Sequence, residues 1–147
     1  MITGTDHFSF SVSNMEAALD FFCGALGLEA SPIEDVSDEN VRKIVGFPDA
    51  CLRISMVLIP GGNRIELIQY VRPEGSIVDS TTCNPGAAHI AFQVDDINKM
   101  YKDMSARGIK FINPPEWGLG PGGTGTWGVS YLKGPDGLTV ELMEKKA

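Results

Sequence analysis

Histidine is nearly absent from this chain, with only His7 and His89 among 147 residues. Cysteine is almost as scarce: Cys23, Cys51 and Cys83 are odd in number and lack C-x-x-C spacing. Neither a disulfide framework nor a zinc knuckle is therefore indicated. The three thiols read as small apolar residues of a reducing compartment. Positive charge is also short, with 12 Lys and Arg against 19 Asp and Glu and a formal net charge of −7. Nucleic-acid phosphate needs clustered cations, and this balance argues against it. A small anionic ligand needs only a few local charges and stays open. No apolar run approaches the roughly 20 residues of a membrane-spanning helix. Met1 to Asp6 has neither the basic start nor the apolar run of a signal peptide, so the expected location is the cytosol.

What the chain does have is repetition. Ala88-His89-Ile90-Ala91-Phe92-Gln93-Val94 alternates with period two. Ile90, Phe92 and Val94 face one way, and His89, Ala91 and Gln93 the other. Asp95 and Asp96 offer a helix N-cap, and Ile97, Met100, Tyr101 and Met104 follow at helical spacing. Asp6-His7-Phe8-Ser9-Phe10-Ser11-Val12 has the same design. Ser13 and Glu16 stand at capping-box spacing, and Met15, Ala18, Leu19 and Phe22 form an apolar stripe. The histidines stand 82 positions apart (89 − 7). Ala25-Leu26-Gly27-Leu28 and Ala106-Arg107-Gly108-Ile109 stand 81 apart (106 − 25). Glu66 in Ile65-Glu66-Leu67 and Glu141 in Val140-Glu141-Leu142 stand 75 apart (141 − 66). Three landmarks in the same order make an internal duplication with two copies. The length suits one domain with a genuine core, which the two modules would share.

In chain order, a strand over about Thr5 to Val12 leads to a helix over Met15 to Leu26, closed by Gly27. Leu28 to Ile33 reads as a strand softened by Pro32. Glu34 to Pro48, with Val41, Ile44 and Val45 at helical spacing, reads as a short helix or ordered loop. Leu52 to Ile59 and Arg64 to Tyr70 pair across the turn Pro60-Gly61-Gly62-Asn63. The polar stretch Arg72 to Pro85 connects the modules with at most one helical turn. From Ala87 the order repeats: strand, a helix ending near Gly108, and a strand over Ile109 to Ile112. A long loop over Asn113 to Gly125 follows. Trp127 to Lys133 and Leu138 to Glu144 then form a hairpin around Gly134-Pro135-Asp136-Gly137. Each module is βαβββ.

Both histidines fall on the strand face opposite the helix, and Glu66 and Glu141 each sit in the middle of a module's last strand. A glutamate between apolar strand neighbours is unusual. A lone strand histidine is more often a surface or core residue than a ligand, and a strand glutamate usually faces solvent. Here the only two histidines and these two glutamates recur at equivalent points of both halves. That coincidence favours a metal site. Two imidazole nitrogens and two carboxylates suit a divalent ion such as Ni, Co, Zn, Fe or Mn, leaving positions for water or substrate.

These residues resemble the vicinal oxygen chelate superfamily, the group of glyoxalases, bleomycin-resistance proteins and dioxygenases. The likeness rests on His7 with Val12, Ile65-Glu66-Leu67, His89 through Asp96, and Gly134 through Leu142, and it covers nearly the whole chain. It implies an α+β fold of two paired βαβββ modules, at about 4–71 and 86–145 of a single domain. Together they would form a curled mixed sheet around a metal cleft. The implied metal ligands are His7, Glu66, His89 and Glu141. This set is most similar to glyoxalase I (lactoylglutathione lyase), and next to methylmalonyl-CoA epimerase, where glutamine can stand at the Glu66 position. Both remove a proton next to a carbonyl through an enediolate or enolate, with Glu141 or Glu66 as the base. The implied substrate is a small molecule, a thiol adduct or a CoA thioester. The implied assembly is a homodimer. Antibiotic-binding members need no metal. Ring-cleaving dioxygenases and fosfomycin-resistance enzymes use three ligands, and Glu66 as a fourth speaks against both. Glu34 to Pro48 is long for a compact bacterial glyoxalase, which speaks against glutathione as the thiol.

Three weaker features complete the reading. The glycines of Glu116 to Gly125 could present N–H groups to an anion or form a lid, although the Walker spacing is missing. Trp117 and Trp127 are candidate pocket-lining residues, with core packing as the plain alternative. Arg42, Lys43, Arg53 and Arg64 are candidates to grip a carboxylate or phosphate, with surface solvation as the default. The residues that would bind substrate are otherwise unnamed.

Overall fold

The alternation seen in the sequence becomes two five-stranded mixed sheets with three α-helices in a computed structural model. The structure describes residues 1–120, 123 and 125–146. The chain forms two compact units, Met1–Ile77 and Val78–Ala147. No helix among the described residues is long and apolar enough to cross a membrane.

In the first unit, β1 (Phe8–Ser11) leads to α1 (Met15–Leu19) and then to a π-wound segment, Asp20–Ala25. There follow β2 (Glu29–Ala30), β3 (Glu34–Val36), α2 (Glu39–Val45), β4 (Cys51–Leu58) and β5 (Arg64–Arg72). The sheet runs β1-β5-β4-β2, with β3 also on β4. Only β1 and β5 are parallel. Period two sends Ile65, Leu67 and Val57 to one face, where they are fully buried along with Met15, Ala18 and Phe22 of the helical segment. Burying each such side chain stabilises the fold by about 1.5–3 kcal/mol.

The sequence placed the first helix cap one residue early. Asn14, not Ser13, is the N-cap, its side-chain oxygen accepting from the Ala17 N–H. The helix expected to run to Leu26 rewinds after Leu19, and the Leu26 N–H donates to Phe21 O at 3.0 Å. That rewinding buries the consecutive Phe21 and Phe22, packed edge to face at 5.2 Å. The strand expected over Leu28 to Ile33 is reduced to β2, and the next strand, β3, begins only at Glu34. Ser31 fills the break, its hydroxyl accepting from Met56 N–H and its carbonyl accepting from the Ser55 hydroxyl. The segment from Glu34 to Pro48 supplies β3 and α2. Asp38 caps α2, and Gly46 ends it at φ 79, a left-handed conformation that favours glycine.

In the second unit the order is β6 (His89–Gln93), α3 (Ile97–Ala106), β7 (Lys110–Phe111), β8 (Glu116–Leu119), β9 (Thr126–Lys133) and β10 (Thr139–Lys146). The sheet runs β6-β10-β9-β7, with β8 on β9 and only β6 and β10 parallel. Asp96 caps α3 by accepting from Lys99 N–H at 2.8 Å. Ile97 and Met104 are buried, as are Leu132, Val140 and Leu142 of the sheet. The long loop expected over 113–125 contains β8 instead, because Trp117 packs on Gly128 across the strand pair. Pro121, Gly122 and Thr124, on which the anion-nest and lid readings partly rested, lie outside the described residues. Residues 73–85 contain no helix.

The duplication is preserved in strand register. Ser9 stands opposite Glu66, and Ala91 opposite Glu141. The offsets of 82 and 75 positions found in the sequence thus place the same pair of strand positions side by side in each unit.

Candidate metal-binding half-sites

In the first unit, Ser9 and Glu66 face each other across β1 and β5, and His7 lies two residues before Ser9 on the same side. His7 Nε2 stands 3.6 Å from Glu66 Oε2, and the Ser9 hydroxyl donates to that oxygen at 2.9 Å. Behind the imidazole, His7 Nδ1 is 2.8 Å from Asp6 Oδ1. Arg64 Nη2 donates to both Asp6 oxygens, at 2.8 and 2.7 Å. The hydrogen bonds from His7 and then Arg64, together with the Arg64 charge, hold the Asp6 carboxyl below its ordinary range.

In the second unit, His89 Nε2 stands 3.2 Å from Glu141 Oε2. Glu141 is the more secluded carboxylate, its side chain 11% exposed against 18% for Glu66. Tyr131 stands opposite Glu141 across the β9–β10 hairpin. Its ring meets His89 edge-on at 5.5 Å. Burial, followed by the nearby Glu141 carboxylate, pushes the Tyr131 phenol up.

Each unit therefore brings together one predicted histidine and one predicted glutamate. Among the described residues, no group of three or more His, Cys, Asp or Glu is placed so that it could hold a metal ion. The donor chemistry of each pair suits a divalent ion. Ligand atoms about 2.1 Å from one ion stand about 3.0 Å apart at a right angle and about 3.4 Å apart in a tetrahedron. An ion that keeps positions for substrate needs the right-angle spacing, and the observed 3.2 and 3.6 Å lie about 0.2 and 0.6 Å beyond it. The donor set within each unit, one imidazole and one carboxylate, suits such an ion.

Three of the four cations considered for substrate binding have other employment. Arg53 pairs with Glu16 at 2.7 Å, Arg64 with Asp6 at 2.7 Å, and Lys43 with Glu39 at 2.6 Å. Of the four, Arg42 has a buried Nε with no hydrogen-bond partner. Trp117 lies opposite Gly128 with Lys146 Nζ 3.7 Å from its ring, and Trp127 has Lys145 Nζ at 5.6 Å. By strand alternation Trp127 shares the Glu141 face and Trp117 does not. The three cysteines are free.

The unit-one sheet has a further feature on its Glu66 face. Leu52 and Ile68 are buried with Ala50, and Val41 and Val45 of α2 pack against this cluster beside Ile54 and Tyr70. The helix thus covers the stretch of that face beginning two residues past Glu66.

Sequence reasoning did not give Asp6, Ser9 and Tyr131 a role. For Asp6 and Ser9 a signal existed, since they flank His7 and Ser9 shares its face. For Tyr131 it lay in counting the hairpin back from the turn at Gly134.

The chain is similar to known proteins over nearly its whole length. Over 146 residues the chain is 25% identical to a 2-epi-5-epi-valiolone epimerase of Actinomyces sp., covering 96% of this chain and 79% of the relative. Over 138 residues it is 23% identical to a probable lactoylglutathione lyase of Synechocystis sp., covering 94% and 92%. The crystal structure of a glyoxalase family protein from Bacillus cereus superimposes with a TM-score of 0.82 at 24% identity, covering 100% and 97%. The model of the glyoxalase/bleomycin resistance protein/dioxygenase superfamily matches residues 4–142, nearly the whole chain, and the protein belongs to that superfamily.

Proposed function

We propose that this protein is a metal-dependent enzyme of the glyoxalase I type, moving a proton on and off a carbon next to a carbonyl. The observation that carries the reading is the recurrence of one His–Glu pair in each unit, at 3.6 and 3.2 Å and in equivalent strand register. His7, Glu66, His89 and Glu141 would hold a divalent ion, Ni, Co, Zn, Fe or Mn. When bound, such an ion supplies Lewis-acid polarisation of the substrate carbonyl. The chain's own residues supply the rest. Glu141 or Glu66 takes the carbon-bound proton and returns it, acting first as base and then as acid. Ser9 donates a hydrogen bond to Glu66, and Tyr131 stands opposite Glu141 with its ring against His89, so both pairs are held in place before substrate arrives. The buried neighbours Ile65, Leu67, Val140 and Leu142 fix the two strands that carry them. No cysteine or third histidine is required.

A second reading, epimerisation beside a carbonyl, has support from the epimerase relative and uses the same proton chemistry. The homodimer implied by the resemblance belongs to this proposal, and sedimentation as a monomer at micromolar concentration would remove it. The test of the reaction is solvent exchange. Metal-loaded protein in D2O is offered separately the methylglyoxal–glutathione adduct, methylmalonyl-CoA and 2-epi-5-epi-valiolone, and the acidic carbon-bound proton is followed by NMR. Exchange with the first supports the lyase, and exchange with either of the others supports an epimerase. Silence with all three, from protein shown to carry metal, overturns the reaction and leaves a binding protein of the same fold.

A further inference from the structure

The two half-sites are built from equivalent strand positions but not from equivalent supports. In the first unit an unbroken chain of contacts runs along β1 and β5: Arg64 to Asp6, Asp6 to His7, His7 towards Glu66, and Ser9 to Glu66. Applying the repeat offsets, the second unit has Ala88 where the first has Asp6, and Thr139 where it has Arg64. Thr139 is otherwise engaged, its hydroxyl 2.7 Å from Lys133 Nζ. His89 therefore has no aspartate in the matching place, and the aromatic edge of Tyr131 lies against it instead.

The chemistry of the Asp6 contact decides which nitrogen of His7 can bind an ion. A carboxylate clasped by a guanidinium on both oxygens can only accept, so the hydrogen between it and His7 belongs to Nδ1. In the neutral imidazole that a metal requires, the lone pair then sits on Nε2, the nitrogen turned towards Glu66. A carboxylate behind a histidine in this way fixes the tautomer and ring orientation and makes the outer nitrogen a better ligand. We propose that Asp6, held by Arg64, is a positioning residue that presets His7 as an Nε2 ligand, making the His7–Glu66 half-site the preorganised one. The inference rests on the metal reading of the previous section and adds a division of labour between the halves.

The test exploits the scarcity of histidine. With two histidines in the chain, a ¹⁵N-histidine spectrum of metal-free protein contains one internal comparison. The expected pattern for His7 is a single tautomer protonated at Nδ1. In Asp6→Leu that pattern collapses towards a mixture while His89 is unchanged, and Asp6→Asn, which keeps an acceptor oxygen, retains much of it. Titration with Co(II) against a chromophoric chelator gives the second readout. Asp6→Leu should weaken binding about 10- to 100-fold, with Asp6→Asn in between. Asp103→Asn removes the same charge from a surface pair with Lys99 and should leave Co(II) affinity unchanged. Asp6 is exposed, so circular dichroism should show these variants folded. Wild-type protein that binds Co(II), with Asp6→Leu binding equally well or with an unaltered His7 spectrum, overturns the positioning role alone. Wild-type protein that takes up no Co(II) removes the metal reading and this inference with it.

Discussion

Gly128 is a position where one methyl group should decide stability. It lies in β9 opposite Trp117 of β8, and a Cβ built on it would stand 2.8–2.9 Å from three atoms of the indole ring. Carbon atoms in good contact stand about 3.5–4.0 Å apart, so the ring would have to retreat by roughly 0.6 Å or more. The ring is rigid, and it also carries the Lys146 ammonium at 3.7 Å, so the retreat disturbs two contacts. Overpacking of this kind costs about 1–3 kcal/mol. Against that, replacing a strand glycine by alanine saves about 0.5–1 kcal/mol of backbone entropy. Taking the middle of each range, the net expectation for Gly128→Ala is a loss of about 1 kcal/mol, or a fall in Tm of about 2–4 °C for a chain of this size. Urea denaturation of the two single variants and of the Trp117→Leu, Gly128→Ala double variant checks the cause. With the indole gone the clash is gone, and the same glycine substitution should become stabilising by about 0.5 kcal/mol. A Gly128→Ala protein as stable as wild type, or a penalty that persists in the Trp117→Leu background, would refute the steric argument.

Two further expectations follow from the packing and the charges. Leu52 is 1% exposed beneath α2, so Leu52→Ala should cost about 2–5 kcal/mol and loosen that helix. Trypsin should then cut at Arg42 or Lys43 faster than in Leu132→Ala, whose cavity lies in the other unit, and equal rates would show that α2 does not depend on this cluster. Asp6, Glu16, Asp79 and Asp103 all have carboxyls held below their ordinary values, each chiefly by a side-chain hydrogen bond. A depressed folded-state value contributes stability that is fully present above the unfolded value and is lost as pH falls through the folded one. The urea midpoint should therefore change little between about pH 7 and 5 on account of these groups and decline below about pH 4. A midpoint that rises on acidification from pH 5 to 3 would contradict that sign.

Much of the fold was legible because its information is periodic. Alternation in His7 to Val12 and His89 to Val94 marks strands, and the apolar spacing from Ile97 to Met104 marks a helix, wherever the chain later goes. The places where the reading failed are those where a tertiary contact outweighs local preference. Phe21 and Phe22 are both buried only because the helix rewinds there. Trp117 turns part of an apparent loop into β8 by packing on Gly128. Ser13 looked like a cap, but Gln69 donates to its carbonyl and Asn14 takes the capping role.

By itself, the sequence determined that the protein is a duplicated βαβββ chain whose only two histidines and two strand glutamates recur in step. Repetition and alternation are properties of order along a chain, and they survive without coordinates. Only the tertiary structure decided that each histidine meets its glutamate, at 3.6 and 3.2 Å, since that requires two distant strands to pair in one particular register. Arg64, Ser9 and Tyr131 gain their roles from hydrogen bonds and ring contacts across strands, and such contacts are made by folding rather than by neighbours in sequence.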